Sequence, residues 1–172
     1  RCTPQPTGNP TMSMIGNFLQ VSPSELQALI DDPSSVEEFI YPEEEERENC
    51  IDIDKAWHGI HFLLTGDAWE GALPLSNVVL GGTEIGGDVG YGPARYITAD
   101  DVRAVTEAIA DLTPQDLAKR YDASALTRNE IYPEIWDEGD DAIQYLTTYY
   151  ESLRDYFLDA SSRGNAMLKY VN

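Results

Sequence analysis

The sequence predicts a single α+β domain that is mostly helical and carries a small sheet of about three short strands. Several segments place apolar residues every three or four positions, as amphipathic helices do. Short runs of strand-forming residues stand near the beginning, in the middle and at the end of the chain. The length of 172 residues corresponds to about one domain and leaves room for a sizeable core.

The first predicted elements are a strand and the helix that follows it. Residues 14–21 are short, apolar and rich in strand-forming types. Ser22 can cap a helix over about residues 23–31, because Pro23 suits the first helical position and Glu25 completes a capping box. The chain therefore opens with a strand that leads into a helix.

The middle of the chain alternates between helices and less regular stretches. A short helix is expected over residues 36–41, and a strongly apolar one over about 52–65, which Gly66 would end as a C-terminal cap. Residues 74–80 indicate a helical turn. Residues 81–92 contain six glycines, a density that predicts an irregular loop.

The second half of the chain repeats the strand–helix order and then becomes largely helical. Its longest helix has an apolar stripe wide enough to be buried in a core. The expected elements are a strand at 94–98, helices at 98–112 and 113–121, an irregular segment at 125–136, a helix at 140–163 and a closing strand at 166–171.

The strong acidity of the chain limits its partners. Eleven Lys and Arg stand against 31 Asp and Glu, which gives a formal net charge of −20. A nucleic-acid backbone or an anionic membrane surface would be repelled by this charge. We therefore expect neither nucleic acid nor a membrane among the partners.

The acids are densest between Glu37 and Glu48. Together with aromatic edges at Trp69, Tyr132 and Trp136, this face would suit a basic or folded protein partner, because negative charge speeds encounter with cationic surfaces. The alternative is that the acidity serves solubility alone. One dense acidic patch would favour a partner, and an even spread would favour solubility.

The sequence predicts a cytoplasmic protein. Cys2 and Cys50 are too few for a disulfide framework, which is usual in a reducing compartment. No run approaches the roughly 18 apolar residues that span a bilayer, and the N-terminal residues lack the apolar core of a signal peptide. Residues 1–11 have no apolar pattern, so we assign them as a disordered extension or a remnant of cloning, and residues 12–172 as the domain.

Five separated motifs occur in one order along the chain: MSMIGNFLQVS, IDIDKAWHGIHFLLTG, GYGPARYIT, EIYPEIW and RGNAMLKYV. Together they resemble the YfbM-like family, a bacterial group of small proteins of unknown function. The resemblance covers residues 12–172 and implies a cytoplasmic, compact single α+β domain. It implies no activity, substrate or catalytic residue.

The two histidines of the chain, His58 and His61, are three positions apart on a predicted helix, close enough to share a metal or a ligand. A zinc site would need further ligands, for which Cys50 and Asp52 or Asp54 are the available additions, and the pattern lacks the glutamate of HExxH. We therefore predict no metal. The alternative role is a buried structural hydrogen bond.

Arg95 is a second candidate, because it follows the glycine-rich stretch in a chain with few bases. It is expected to meet either a structural carboxylate or an anionic ligand. We predict a binding cleft bordered by the helix at 57–62, the stretch at 81–92 and Arg95. In this cleft Arg95 would hold an anion, and the other lining residues would be Trp57, His58, His61 and either Tyr91 or Tyr96 as a stacking ring.

An enzymatic alternative uses three residues in the order His61, Tyr96 and Glu134. ADP-ribosyltransferases are similar to this chain only in having His, then Tyr on a later strand, then Glu. Those residues hold the ribose, stack on the nicotinamide and stabilise the cationic transition state. The alternative to a binding domain is therefore an NAD-dependent, ADP-ribosyltransferase-like enzyme, and the sequence indicates no other cofactor.

Overall fold

The strands predicted near the two ends of the chain lie side by side in one antiparallel sheet. The structure, a computed structural model, describes residues 13–44 and 47–172. The strands within them are β1 (Gly16–Val21), β2 (Cys50–Asp52), β3 (Thr83–Asp88), β4 (Pro93–Ile97) and β5 (Ala166–Val171). Their order across the sheet is β2-β1-β5-β4-β3, and each neighbouring pair is antiparallel. The α+β class is confirmed, but the sheet has five strands rather than about three.

Helices cover both faces of this sheet. Those in the described part of the chain are α1 (Pro23–Asp31), α2 (Val36–Ile40), α3 (Trp57–Thr65), α4 (Ala99–Ile109), α5 (Pro114–Ala118), α6 (Ala123–Arg128) and α7 (Asp140–Ser162). The larger core cluster joins α3, α4 and α7 to Phe18, Ile97 and Met167. The smaller cluster joins α1 and α2 to Leu19 and Leu168 on the opposite face. Successive strand residues point to opposite faces, which explains why Phe18 and Leu19 belong to different clusters.

Several predicted helix ends are confirmed by their capping contacts. Ser22, Thr98 and Thr113 each accept a hydrogen bond from the backbone three residues later, and the acidic side chain at that position bonds back to the cap residue's N–H. Gly66 has a φ of 75° and donates its N–H to the carbonyl of Phe62. Local capping chemistry thus sets where these helices begin and end.

Two segments predicted to be irregular contain regular structure. Part of the glycine-rich stretch 81–92 forms β3, an edge strand that pairs with β4. The pairing shifts register between Ile85 and Asp88, where Gly86 adopts a φ of 77°. A bulge with a positive φ favours glycine, and the hydrogen bonds between strands are made by the backbone alone. A high density of glycine is therefore compatible with a kinked strand. The segment at 125–136 overlaps α6.

Other expectations meet the structure only in part. No helix in the described residues is long and apolar enough to cross a membrane. Cys50 is not a free thiol, so the cysteine count does not support a reducing compartment, and the cytoplasmic location stays a prediction. The extension predicted at residues 1–11 lies outside the described residues.

Candidate functional site

A cavity of about 440 Å³ lies on the sheet face that carries the larger core cluster. Its floor is formed by strands β1, β4 and β5, and its walls by α3 and by the connections that follow α3 and β3. Its lining includes the aromatic residues Phe18, Trp57, Trp69 and Tyr91 and the charged residues Glu84, Arg95 and Lys169. This volume is in the usual range for a small-molecule site.

Four side chains form one row across the sheet beneath this cavity. Phe18 on β1 is paired with Lys169 on β5, Lys169 with Arg95 on β4, and Arg95 with Glu84 on β3. Directly paired residues of neighbouring strands project on the same face, with their Cβ atoms about 5 Å apart. The row therefore holds two cationic side chains beside each other and one carboxylate at its edge.

Lys169 is the most unusual member of the row, because only 4% of its surface is exposed. Its Nζ donates a hydrogen bond to the carbonyl of Asn77 at 2.6 Å, and it makes no ion pair with any carboxylate in the described residues. Burial and, to a smaller extent, the charge of Arg95 lower the pKa of Lys169 to about 7, against a still smaller opposite effect of Asp101. A charge without a paired carboxylate is rare at a buried position.

Arg95 is half-buried and makes the structural carboxylate contact that was one of its two predicted roles. One guanidinium nitrogen is 3.1 Å from a carboxylate oxygen of Glu84, and another donates to the carbonyl of Leu80. The Arg95 and Glu84 side chains are 40% and 61% exposed, so their ion pair contributes little to stability. Because Arg95 also lines the cavity, its guanidinium is accessible to a ligand there.

Aromatic rings form the opposite wall of the cavity. The Trp57 ring stacks against Tyr132 at a centroid distance of 5.8 Å and against His58 at 5.0 Å, and its Nε1 donates to the carbonyl of Met14. Trp69 contacts the His58 ring at 4.4 Å and is 62% exposed. Tyr91 and Trp69 both leave part of their ring surface free at the cavity. This wall suits a flat or apolar ligand group.

The histidines stand behind this wall and do not line the cavity. His58 Nδ1 accepts the backbone N–H of Tyr132 at 2.9 Å, so Nε2 carries the proton that is donated to the carbonyl of Ala68. His61 Nε2 likewise donates to the carbonyl of Glu70. Burial lowers the pKa of His61 and lowers that of His58 to about 4. His58 is thus hydrogen-bonded at both ring nitrogens, whereas His61 is bonded through Nε2 and its Nδ1 is buried without a partner in the structure. Within the described residues no cluster of three or more His, Cys, Asp or Glu side chains could hold a metal ion.

We expect His58 to make the protein less stable in acid. Because the folded pKa of about 4 is below the unfolded value near 6.5, the unfolded chain binds more protons between these limits. The free energy of unfolding should then fall by up to about 3 kcal/mol as the pH drops through this window. Urea unfolding at pH 7, 5.5 and 4 should show a shallower fall for His58→Gln, which cannot gain this proton. Parallel profiles for the two proteins would contradict the prediction.

The residues of the enzymatic alternative are not brought together. His61 is buried beside the larger core cluster on α3, whereas Tyr96 packs against the smaller cluster. The sheet separates these two clusters, so His61 and Tyr96 cannot act on one substrate. Glu134 is exposed after α6 and does not line the cavity. Of the six predicted ligand-binding residues, only three line the cavity: Trp57, Tyr91 and Arg95.

The predicted acidic face is exposed where the structure describes it. The exposed acids are Glu37, Glu38, Glu43, Glu44 and Glu48. Trp136, predicted as an aromatic edge of that interface, is only 1% exposed and belongs to the larger core cluster, so that prediction is wrong.

No curated protein matches the chain. Among solved structures, a protein of unknown function, YfbM from Escherichia coli, matches with a TM-score of 0.71 and 22% sequence identity, over 92% of this chain and 99% of that chain. At this identity the match shows the fold alone. The profile of a domain of unknown function (DUF1877) matches residues 12–170, which confirms the resemblance seen in the five motifs. The chain therefore belongs to the DUF1877 family.

Proposed function

We propose that the protein is a binding domain that holds a small anionic molecule in the cavity above Lys169 and Arg95. The observation that carries this proposal is the charge balance of the row: two basic side chains lie side by side, and within the described residues the one carboxylate that pairs with either of them is Glu84, which contacts Arg95. Two of the eleven basic residues of a strongly acidic chain thus meet at one cavity. A carboxylate or phosphate would complete their pairing.

The shape of the site narrows the class of ligand. The anionic group would face Arg95, and the aromatic rings of Trp57 and Tyr91 would contact a flat or apolar body. A cavity of about 440 Å³ accommodates a metabolite-sized molecule rather than a polymer. A small aromatic or branched carboxylate satisfies these requirements, and benzoate is a suitable probe.

We expect Arg95→Ala to weaken the binding of benzoate by about tenfold to a hundredfold, because a hydrogen bond to a charged group is worth about 1.5–3 kcal/mol. Isothermal titration calorimetry measures this, with benzamide as the neutral ligand of matched shape. Arg103→Ala is the matched control, since Arg103 pairs with Asp100 on α4 and does not line the cavity.

The binding measurements distinguish a ligand-binding role of Arg95 from a purely structural one. If Arg95 contacts the ligand, benzoate binds more tightly than benzamide, and Arg95→Ala removes the difference while the melting temperature changes little. If Arg95 is only a structural residue that joins Glu84 to the carbonyl of Leu80, the variant leaves the preference for the anion intact. Equal binding of benzoate and benzamide to the unmodified protein would overturn the proposed function.

A further inference from the structure

We propose that Lys169 is a reactive amine that condenses with the carbonyl group of a small keto acid or aldehyde acid to form a Schiff base in the cavity. This inference rests on the proposed function, because Arg95 would hold the carboxylate of the same ligand. It adds a covalent step to what would otherwise be simple binding.

The position of Lys169 is the first support. It lines the cavity, yet its side chain is buried among Phe18 and the strands on both sides. Its contact with the carbonyl of Asn77 orients the amine and is available to the neutral form, which still has hydrogens to donate. A paired carboxylate would keep the amine protonated, and none is present among the described residues.

The spacing to Arg95 is the second support. The two residues are directly paired on neighbouring strands, so their side chains start about 5 Å apart and project on the same face. In glyoxylate and pyruvate the carbonyl carbon is bonded directly to the carboxylate carbon. A carboxylate held by Arg95 therefore places that carbonyl carbon next to the amine of Lys169.

The condensation is balanced without any further reactant. The lone pair of neutral Nζ attacks the carbonyl carbon, so a C–N bond forms as the C=O π bond breaks, and one proton moves from the nitrogen to the oxygen to give a carbinolamine. The carbinolamine then loses its oxygen as water, and the two hydrogens of the neutral amine leave with it. The product is an imine, and no oxidant or reductant is consumed.

The surroundings of Lys169 keep part of it in the reactive neutral form. The charged or titratable groups that face it are Arg95 from β4, which Glu84 partly neutralises, Asp101 from α4, and His61 from α3, whose own pKa is lowered so that its ring is neutral at pH 7. With a pKa of about 7, half of the Lys169 amine is neutral at neutral pH. An ordinary lysine, with a pKa of about 10.4, is almost wholly protonated there. Desolvation beside a second cation is a known way to activate a lysine nucleophile.

The chain has only three lysines, Lys55, Lys119 and Lys169, which makes a labelling experiment clean. The folded protein is treated with glyoxylate and sodium cyanoborohydride at pH 7, and the reduced adducts are located by peptide mass spectrometry. We expect Lys169 to be labelled at least about tenfold faster than Lys55 or Lys119. The preference should disappear in urea, where all three amines are solvated.

Two variants connect the labelling to the site. Arg95→Ala should slow the labelling of Lys169 about tenfold and leave Lys55 and Lys119 unchanged, because it removes the partner of the carboxylate. Lys169→Arg keeps a cation in place and should remove one adduct from the intact mass. Labelling of Lys169 no faster than that of the other two lysines in the folded protein would overturn the inference. Benzoate binding that still depends on Arg95 would then show that the proposed function survives without the covalent step.

Discussion

Lys169→Met is expected to raise the free energy of unfolding at pH 7 by about 3 kcal/mol. A lysine whose pKa falls from about 10.4 in the unfolded chain to about 7 in the folded one destabilises the fold by roughly 4 kcal/mol at neutral pH, and the hydrogen bond to Asn77 returns about 1 kcal/mol. Methionine has a similar length, keeps the apolar contacts of the stem and carries no charge. Urea unfolding followed by circular dichroism measures the change.

The pH dependence tests the cause of this gain. Between pH 7 and about 10 the unfolded chain binds more protons at residue 169 than the folded protein does, so the stability of the unmodified protein rises with pH. The advantage of Lys169→Met should therefore be full at pH 7 and below and shrink by about half at pH 9. Lys119→Met is the control, because Lys119 has a side chain that is 77% exposed and an ion pair with Asp116. A Lys169→Met protein less stable than the unmodified one would show that the lysine is structural.

A stabilising substitution at Lys169 would have a functional meaning. Residues that lower stability persist where a site needs them, and strained or unpaired groups concentrate at such sites. The aromatic wall behind the cavity behaves in the opposite way, because both nitrogens of His58 are satisfied and the ring is held between Trp57 and Trp69. The cavity therefore combines an aromatic wall backed by a fully hydrogen-bonded His58 with a floor lysine that has no carboxylate partner among the described residues.

The helices could be predicted from the sequence because their signals are local. Each capping contact involves residues within about one helical turn of each other. These contacts are the capping boxes at Ser22, Thr98 and Thr113 and the C-cap at Gly66. The missed strand β2 has three residues, too few for an alternating pattern. Strand β3 could not be predicted because its glycines, which the bulge requires, are typical of loops. Its pairing with β4 depends on contacts between two segments, which the sequence of either segment alone does not indicate.

The candidate site was predictable only where a residue type is rare. Arg95 could be singled out because bases are few in this acidic chain, and it does line the cavity. Lys169 could not be recognised, because its importance comes from β5 being the central strand, buried on both faces, and from its pairing with Arg95. The available signal was a single lysine within the apolar run AMLKYV. His58 and His61 were predicted to line the cleft, but neither lines the cavity. Their Nε2 atoms are hydrogen-bonded to the backbone carbonyls of Ala68 and Glu70.

Trp136→Ala is expected to lower the free energy of unfolding by about 4 kcal/mol, the largest loss that we predict. Trp136 is 1% exposed, and its ring lies over Gly59 of α3 beside Leu146 of α7. A Cβ at Gly59 would be 2.8 Å from the Trp136 ring and 2.7 Å from Leu146, so this glycine allows the two helices and the ring to meet. Removing the ring leaves a cavity at that junction and removes one of the two hydrogen bonds to the carbonyl of Ile131, which keeps the bond from the N–H of Glu134.

Trp69→Ala provides the matched control for this loss, because it makes the same substitution at a tryptophan that is 62% exposed. We expect it to change the free energy of unfolding by less than about 1 kcal/mol, whereas Trp136→Ala should lower the melting temperature by about 10 °C. Guanidinium unfolding of the two variants measures the difference. Equal losses would mean that the junction of α3 and α7 is not the centre of the core. A large loss at Trp136 alone would show that α3, which carries the cavity residue Trp57, is stabilised by the packing of Trp136 against Gly59. This contact lies outside the cavity.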